Sequence, residues 1–234
     1  MCGVCTNGLS RRKLFQGGLG LLAAATLPIA AQAQTPSNPS DTPDAALDKL
    51  MQGNARYAAG DLRERDYSAG RAARAEGQAP FAAILGCADS RVAPELAFDQ
   101  GPGQLFVVRV AGNFVTPDGL ASLEYGAAVL GTKVIMVLGH SNCGAVNATV
   151  AALQKGNDLP GHIADLVRAM KPGIQPALKQ PGDDMRQRAV IGNVKANVQK
   201  LQAAKPILGK MVASGQLKIV GGVYDLASGK VALV

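Results

Sequence analysis

Four short stretches of the chain are apolar almost from end to end: residues 81–86 (FAAILG), 105–110 (LFVVRV), 133–139 (KVIMVLG) and 217–224 (LKIVGGVY). A strand with one face in water alternates apolar and polar side chains, and these do not. They read as strands covered on both faces, the pattern of a parallel sheet between helices. A last short strand is expected at 230–233, after the turn residues Ala227, Ser228 and Gly229. Helical spacing fills the intervals at 44–59, 119–130, 145–153, 163–170 and 185–204, the last with Val190, Val194, Val198 and Leu201 on one side. Residues 171–182, with three prolines and two glycines, are expected to form a loop. Alternating strand and helix predicts an α/β fold: a single domain over 44–234 with a mainly parallel β-sheet core flanked by helices.

Composition removes several classes of function. At 47% hydrophobic and 18% charged, the chain has ample material for a core and is not a disordered segment. Aromatic residues make up 4% and Trp is absent, which disfavours a base-stacking nucleic-acid platform. The net charge is +7, but Arg11, Arg12 and Lys13 lie in a stretch without acids; removing them from the 24 basic residues leaves +4 against the 17 acidic ones. No nucleic-acid partner is expected from so mild a balance. No apolar run reaches 18 residues, so no stable membrane span is expected.

The first 43 residues read as an address and a tether. Ser10-Arg11-Arg12-Lys13-Leu14-Phe15 precedes a Gly/Ala-rich apolar run over 16–31, and Ala31-Gln32-Ala33 offers small residues for cleavage. Residues 1–33 are therefore expected to be a bacterial twin-arginine export signal, cleaved before Gln34, which sends the protein to the periplasm or otherwise out of the cytoplasm. Cys2 and Cys5 fall within it. Residues 34–43 (QTPSNPSDTP) read as a flexible linker.

Chemistry gathers at two predicted strand ends. Cys87-Ala88-Asp89-Ser90-Arg91 follows the first strand, and His140-Ser141-Asn142-Cys143-Gly144 follows the third. Ligand sites of parallel α/β sheets form outside the carboxyl ends of strands, so both turns should meet at one edge. Side chains at alternate positions share a face, so Cys87, Asp89 and Arg91 can point into one site. Two thiolates and an imidazole suit tetrahedral zinc, with Asp89 or water in the fourth position. A Cys87–Cys143 disulfide, or inert packing of both cysteines, are the competing readings. His162, at a predicted helix start after Pro160 and Gly161, has no ligand partner nearby in sequence and reads as structural.

These two motifs together resemble those of the β-class carbonic anhydrases. Supporting similarity runs through Gly53-Asn54-Ala55-Arg56-Tyr57, Gln78-Ala79-Pro80, residues 106–113, Ser122-Leu123-Glu124-Tyr125 and Val223-Tyr224-Asp225-Leu226. The resemblance implies that Cys87, His140 and Cys143 ligate Zn2+. It implies that Asp89 and Arg91 form an active-site dyad, with Asp89 as a fourth ligand in a closed state. It makes Gln78, Phe106, Val110, Tyr125 and Gly144 residues of the substrate cleft. It also implies a homodimer or higher homo-oligomer. Val110 stands where the family usually has Asn, and no Trp is present for the family's inhibitory bicarbonate pocket.

The expected activity is reversible hydration of carbon dioxide to bicarbonate and a proton by zinc-bound hydroxide. Two thiolates donate more charge than imidazoles, so the metal is a weaker acidifier and Asp89 should orient the nucleophile by accepting its hydrogen bond. Arg91 should hold Asp89 off the metal through a bidentate pair. The alternatives are hydrolysis of carbonyl sulfide or carbon disulfide on the same ligands, and a non-catalytic zinc-binding protein.

Overall fold

A computed structural model describes residues 42–156, 159–181 and 183–234; the expected signal and nearly all of the linker lie outside the described residues. Five strands form one sheet in the order β2-β1-β3-β4-β5. They are β1 (Ala82–Gly86), β2 (Leu105–Arg109), β3 (Val134–His140), β4 (Lys218–Tyr224) and β5 (Val231–Leu233). The first four are parallel, and β5 closes one edge antiparallel to β4.

The continuous apolar runs have the expected consequence. Every residue of β1 and β3 is buried. Alternate side chains split between two cores. Ala83, Leu85, Ile135 and Val137 enter the larger one, and Ala82, Ile84, Val134, Met136 and Leu138 enter the smaller. Helices α4 (Pro117–Ala128), α5 (Gly144–Lys155), α6 (Ile163–Leu178), α7 (Met185–Gln202) and α8 (Leu208–Ala213) cover the first face. Helices α1 (Pro43–Ala59) and α3 (Pro94–Ala97) cover the second, while α2 (Arg71–Glu76) has no buried residue. Among the described residues no helix is long and apolar enough to cross a membrane.

One expectation is corrected. The loop expected at 171–182 is helical as far as Leu178, and α6 carries Pro172 and Pro176 inside it. Both prolines face solvent, whereas Met170, Ile174 and Ala177 are buried. Gly173 lies against Gly192 of α7 so closely that a Cβ there would stand 2.9 Å from the Gly192 carbonyl oxygen. Burial along that seam outweighs the lost amide donors of the prolines. The short helices α2, α3 and α8 carry too little periodicity to be legible in advance.

Register places the site. Gly86 of β1 lies beside Leu138 of β3, so Cys87 leaves its strand level with Gly139 and one step below His140. Both strands then turn outward at the same edge. Thr116 caps α4 by accepting the Gly119 amide, which fixes the far end of the segment after β2.

Candidate metal centre

Cys87, His140 and Cys143 converge. Their ligand atoms all lie within 4.8 Å of one another, and their residues are 4%, 0% and 1% exposed. The sulfurs of Cys87 and Cys143 are 3.9 Å apart. Two sulfurs on tetrahedral zinc, each at about 2.3 Å, stand about 3.8 Å apart.

The imidazole is set to donate. Its Nδ1 gives a hydrogen bond to the Ser141 carbonyl at 2.9 Å, because a carbonyl can only accept. That leaves the Nε2 lone pair directed elsewhere, and Nε2 is buried with no hydrogen-bond partner among the described residues. A buried orphan nitrogen beside two sulfurs is the donor set a zinc ion satisfies. Ser141 is anchored in turn: its amide donates to the Tyr224 carbonyl at 2.8 Å and its hydroxyl accepts the Leu226 amide at 2.9 Å.

Contact between the two thiols favours the first ionisation and opposes the second. Cys87 is pushed down to about 4, chiefly by its hydrogen bond with Cys143, against the burial that disfavours a thiolate and with help from His140 and the Gly112 amide. Cys143 is pushed up, first by the same contact and then by burial. One thiolate therefore forms first, and a dication beside both removes the opposition to the second. Cys143 also sits at the N-cap of α5, where the helix dipole favours negative charge.

Asp89 stands at the mouth of this group, with its Oδ2 3.7 Å from His140 Nε2. Both of its oxygens are engaged by Arg91. Nε and the backbone amide donate to Oδ1 at 2.9 Å each, and Nη2 donates to Oδ2 at 2.7 Å. The Arg91 guanidinium holds the Asp89 carboxyl well below the usual carboxylate range. Arg91 Nη2 also reaches the Asn142 carbonyl at 3.4 Å, which ties the first turn to the second. Asn142 takes a left-handed backbone, φ 52°, the conformation that bends the chain between His140 and Cys143.

The other predicted residues are dispersed. Gly144 opens α5 next to Cys143, with open space where a Cβ would stand. Val110 packs on the larger core and fixes the Cys87 turn through its backbone: its amide donates to Gly86 and its carbonyl accepts from Ala88 and Asn113. Phe106 pairs with Ala83, four residues before Cys87, and its ring lies 6.3 Å from that of Tyr125. Gln78 is exposed, four residues ahead of β1. Within one chain, Phe106 therefore lies four strand positions from the level of Cys87, with Tyr125 beside it, and Gln78 lies in the segment before β1. His162 is fully exposed and bonds only to Asp165 among the described residues.

Sequence reasoning missed Arg109. At the end of β2 its guanidinium donates to three carbonyls of the Cys87 turn: Cys87 at 2.9 Å, Asp89 at 2.6 Å and Val92 at 2.8 Å. A lone cation closing an otherwise apolar strand was the available signal. The buried asparagines of α7 were missed as well. Asn193 donates to the Gly112 carbonyl at 2.8 Å, and Asn197 accepts the Val115 amide at 2.8 Å.

A carbonic anhydrase family model matches residues 82–231, from the first residue of β1 to the first of β5. The chain belongs to the β-carbonic anhydrase family. Carbonic anhydrase 2 of Mycobacterium tuberculosis (strain H37Rv) is 40% identical over 200 residues, covering 83% of this chain and 94% of the relative. The β-carbonic anhydrase of Coccomyxa, solved with acetazolamide, is 31% identical with a TM-score of 0.63, covering 80% of this chain and 84% of that one. The tetrameric β-carbonic anhydrases of Sordaria macrospora share the fold, with a TM-score of 0.63 at 24% identity over 80% of this chain and 96% of theirs. As β-carbonic anhydrases are zinc enzymes, the sulfur–sulfur–nitrogen group is the place in this fold that fits the ion.

Proposed function

We propose that this chain catalyses the reversible hydration of carbon dioxide to bicarbonate on zinc held by Cys87, His140 and Cys143, with Asp89 and Arg91 as the working pair beside it. The observation that carries the reading is the convergence of those three buried ligand atoms next to a carboxylate pinned by an arginine. Zinc held by these three side chains would acidify bound water and so make hydroxide available near neutral pH.

The chain's own residues do the rest. Asp89 stays ionised because Arg91 stabilises the carboxylate, so it is an acceptor at every physiological pH. An ionised Asp89 beside His140 Nε2 takes a hydrogen bond from the attacking oxygen and turns its lone pair toward the substrate carbon. Arg91 keeps Asp89 from becoming a ligand itself, since both carboxylate oxygens are already occupied. Release from Arg91 would let Asp89 close the fourth position, so the pair can act as a switch.

Homo-oligomerisation belongs to the same reading. β2 is an edge strand and half-buried along most of its length. Tyr125 of the adjoining α4 and Val129, just past its end, are 47% and 38% exposed. A second copy on this edge would cover them and bring Phe106 and Tyr125 toward a neighbour's site. Export is proposed from Arg11, Arg12 and the apolar run after them, and is checked by fractionation with N-terminal sequencing of the mature protein.

Stopped-flow carbon dioxide hydration with metal analysis tests the proposal. Asp89→Ala and Arg91→Ala should each lower kcat/KM by roughly 100-fold or more while one zinc per chain remains. If Arg91→Ala lost metal in proportion to activity, its role would be structural and the switch would be refuted.

A further inference from the structure

We propose that Asn193, on α7, is a positioning residue for the metal centre, delivering the Gly112 amide to the sulfur of Cys87 and so setting how tightly and how strongly that thiolate binds zinc. The inference rests on the reading of Cys87 as a zinc ligand. The Gly112 N–H donates to Cys87 Sγ at 3.3 Å. Its carbonyl, on the other side of the same Cα, accepts from Asn193 Nδ2 at 2.8 Å. The two peptide planes meet at a glycine with φ 84°, where a Cβ would stand 2.3 Å from Met170 Sδ. Glycine is therefore required, and it is also the residue least able to hold its own backbone angles. Asn193 supplies the missing restraint.

Asn193 is suited to that task. It is 1% exposed and lies on a helix that packs against the sheet. Asn197, one turn on, donates to Asn193 Oδ1 at 3.2 Å, which orients the amide so that Nδ2 faces Gly112. Asn197 also accepts the Val115 amide, and Lys200 donates to the Val115 carbonyl. One face of α7, at steps of four and three residues, thus stitches the loop 112–115 at both ends. A fixed N–H holds the sulfur in its ligating position, which favours binding, and it withdraws charge from the sulfur, which leaves the metal more acidic and keeps the charge-transfer band at shorter wavelength.

The test uses Asn193→Ala, with Asn193→Leu as a second variant that keeps the branched side-chain skeleton without its donor. Leu201→Ala, a core truncation two turns along the same helix, is the control for loss of fold stability. Zinc affinity is read by chelator competition, and the thiolate-to-metal charge-transfer band is read in the cobalt-substituted protein. Either Asn193 variant should bind zinc about 10-fold to 100-fold more weakly and shift the band to longer wavelength. Leu201→Ala should lower the melting temperature with the band unmoved. Unchanged affinity and band in the Asn193 variants, or an equal band shift in Leu201→Ala, would overturn the inference. A parent protein without any such band would overturn the ligand assignment beneath it.

Discussion

Replacing Arg109 with Met removes the guanidinium fork and keeps the length of the apolar stem. Three hydrogen bonds vanish together, to the carbonyls of Cys87, Asp89 and Val92. A hydrogen bond involving a charged group contributes roughly 1.5–3 kcal/mol when buried. Arg109 is exposed, so about 1 kcal/mol each is the appropriate figure, or about 3 kcal/mol in all. For a body of this size that lowers Tm by about 6–12 °C. The local effect is larger than the global one, because the freed segment carries Cys87, a proposed metal ligand, at one end and Asp89 in its middle. A displacement of about 1 Å in a catalytic group costs on the order of 100-fold in rate. Calorimetry and stopped-flow hydration should therefore show a lower Tm together with a kcat/KM loss of about 10-fold to 100-fold, with zinc retained. Arg109→Lys, which cannot span three carbonyls, should fall between the two. Wild-type Tm and rate in Arg109→Met would refute the view that this fork holds the turn.

Two further perturbations probe the frame around the site. Burial works against ionisation of Asp99, but the hydrogen bonds from Arg65 and Arg56 outweigh it and hold its carboxyl below the usual range. A depressed folded-state pKa contributes stability that is present above about pH 4 and is lost as pH falls further. Asp99 has a left-handed backbone, φ 46°, which Asn tolerates, so Asp99→Asn should cost about 3 kcal/mol at neutral pH and flatten that acid-side loss in denaturant titrations. An undiminished acid slope would exclude Asp99 as its source. Gly112→Ala must adopt φ 84° and displace Met170, so a Tm drop above about 5 °C and weaker zinc retention are expected; an unaltered melt and metal content would show that the segment has room to spare.

The sheet and the meeting of Cys87, His140 and Cys143 were legible for one reason: local chemistry and local pattern agree there. Apolar runs without alternation permit few structures besides covered parallel strands, and soft ligands in two turns leave few alternatives to a shared site. The continuation of α6 through Pro172 and Pro176 was not legible, because what overrides the prolines is the Gly173–Gly192 approach to a helix far along the chain. The asparagines of α7 were hidden for a related reason. Asn193 and Asn197 sit in a helix whose valines announce a core face, and nothing local shows that the polar stripe beside them meets the 112–115 loop. Arg109 ends an apolar strand, where solvation of its charge is the default reading, and its three acceptors are backbone groups that no sequence pattern displays. Side-chain ligands can be read from residue types, whereas the partners that orient the backbone beneath them depend on tertiary contacts.

X-ray absorption at the zinc edge of the purified, metal-loaded protein tests the ligand set most directly. The expected spectrum has two sulfurs at about 2.3 Å and one imidazole nitrogen at about 2.0 Å, completed by one light atom. Zinc surrounded only by oxygen and nitrogen, or active protein in which Cys87 and Cys143 are joined to each other, would contradict the assignment of these residues as the metal's ligands.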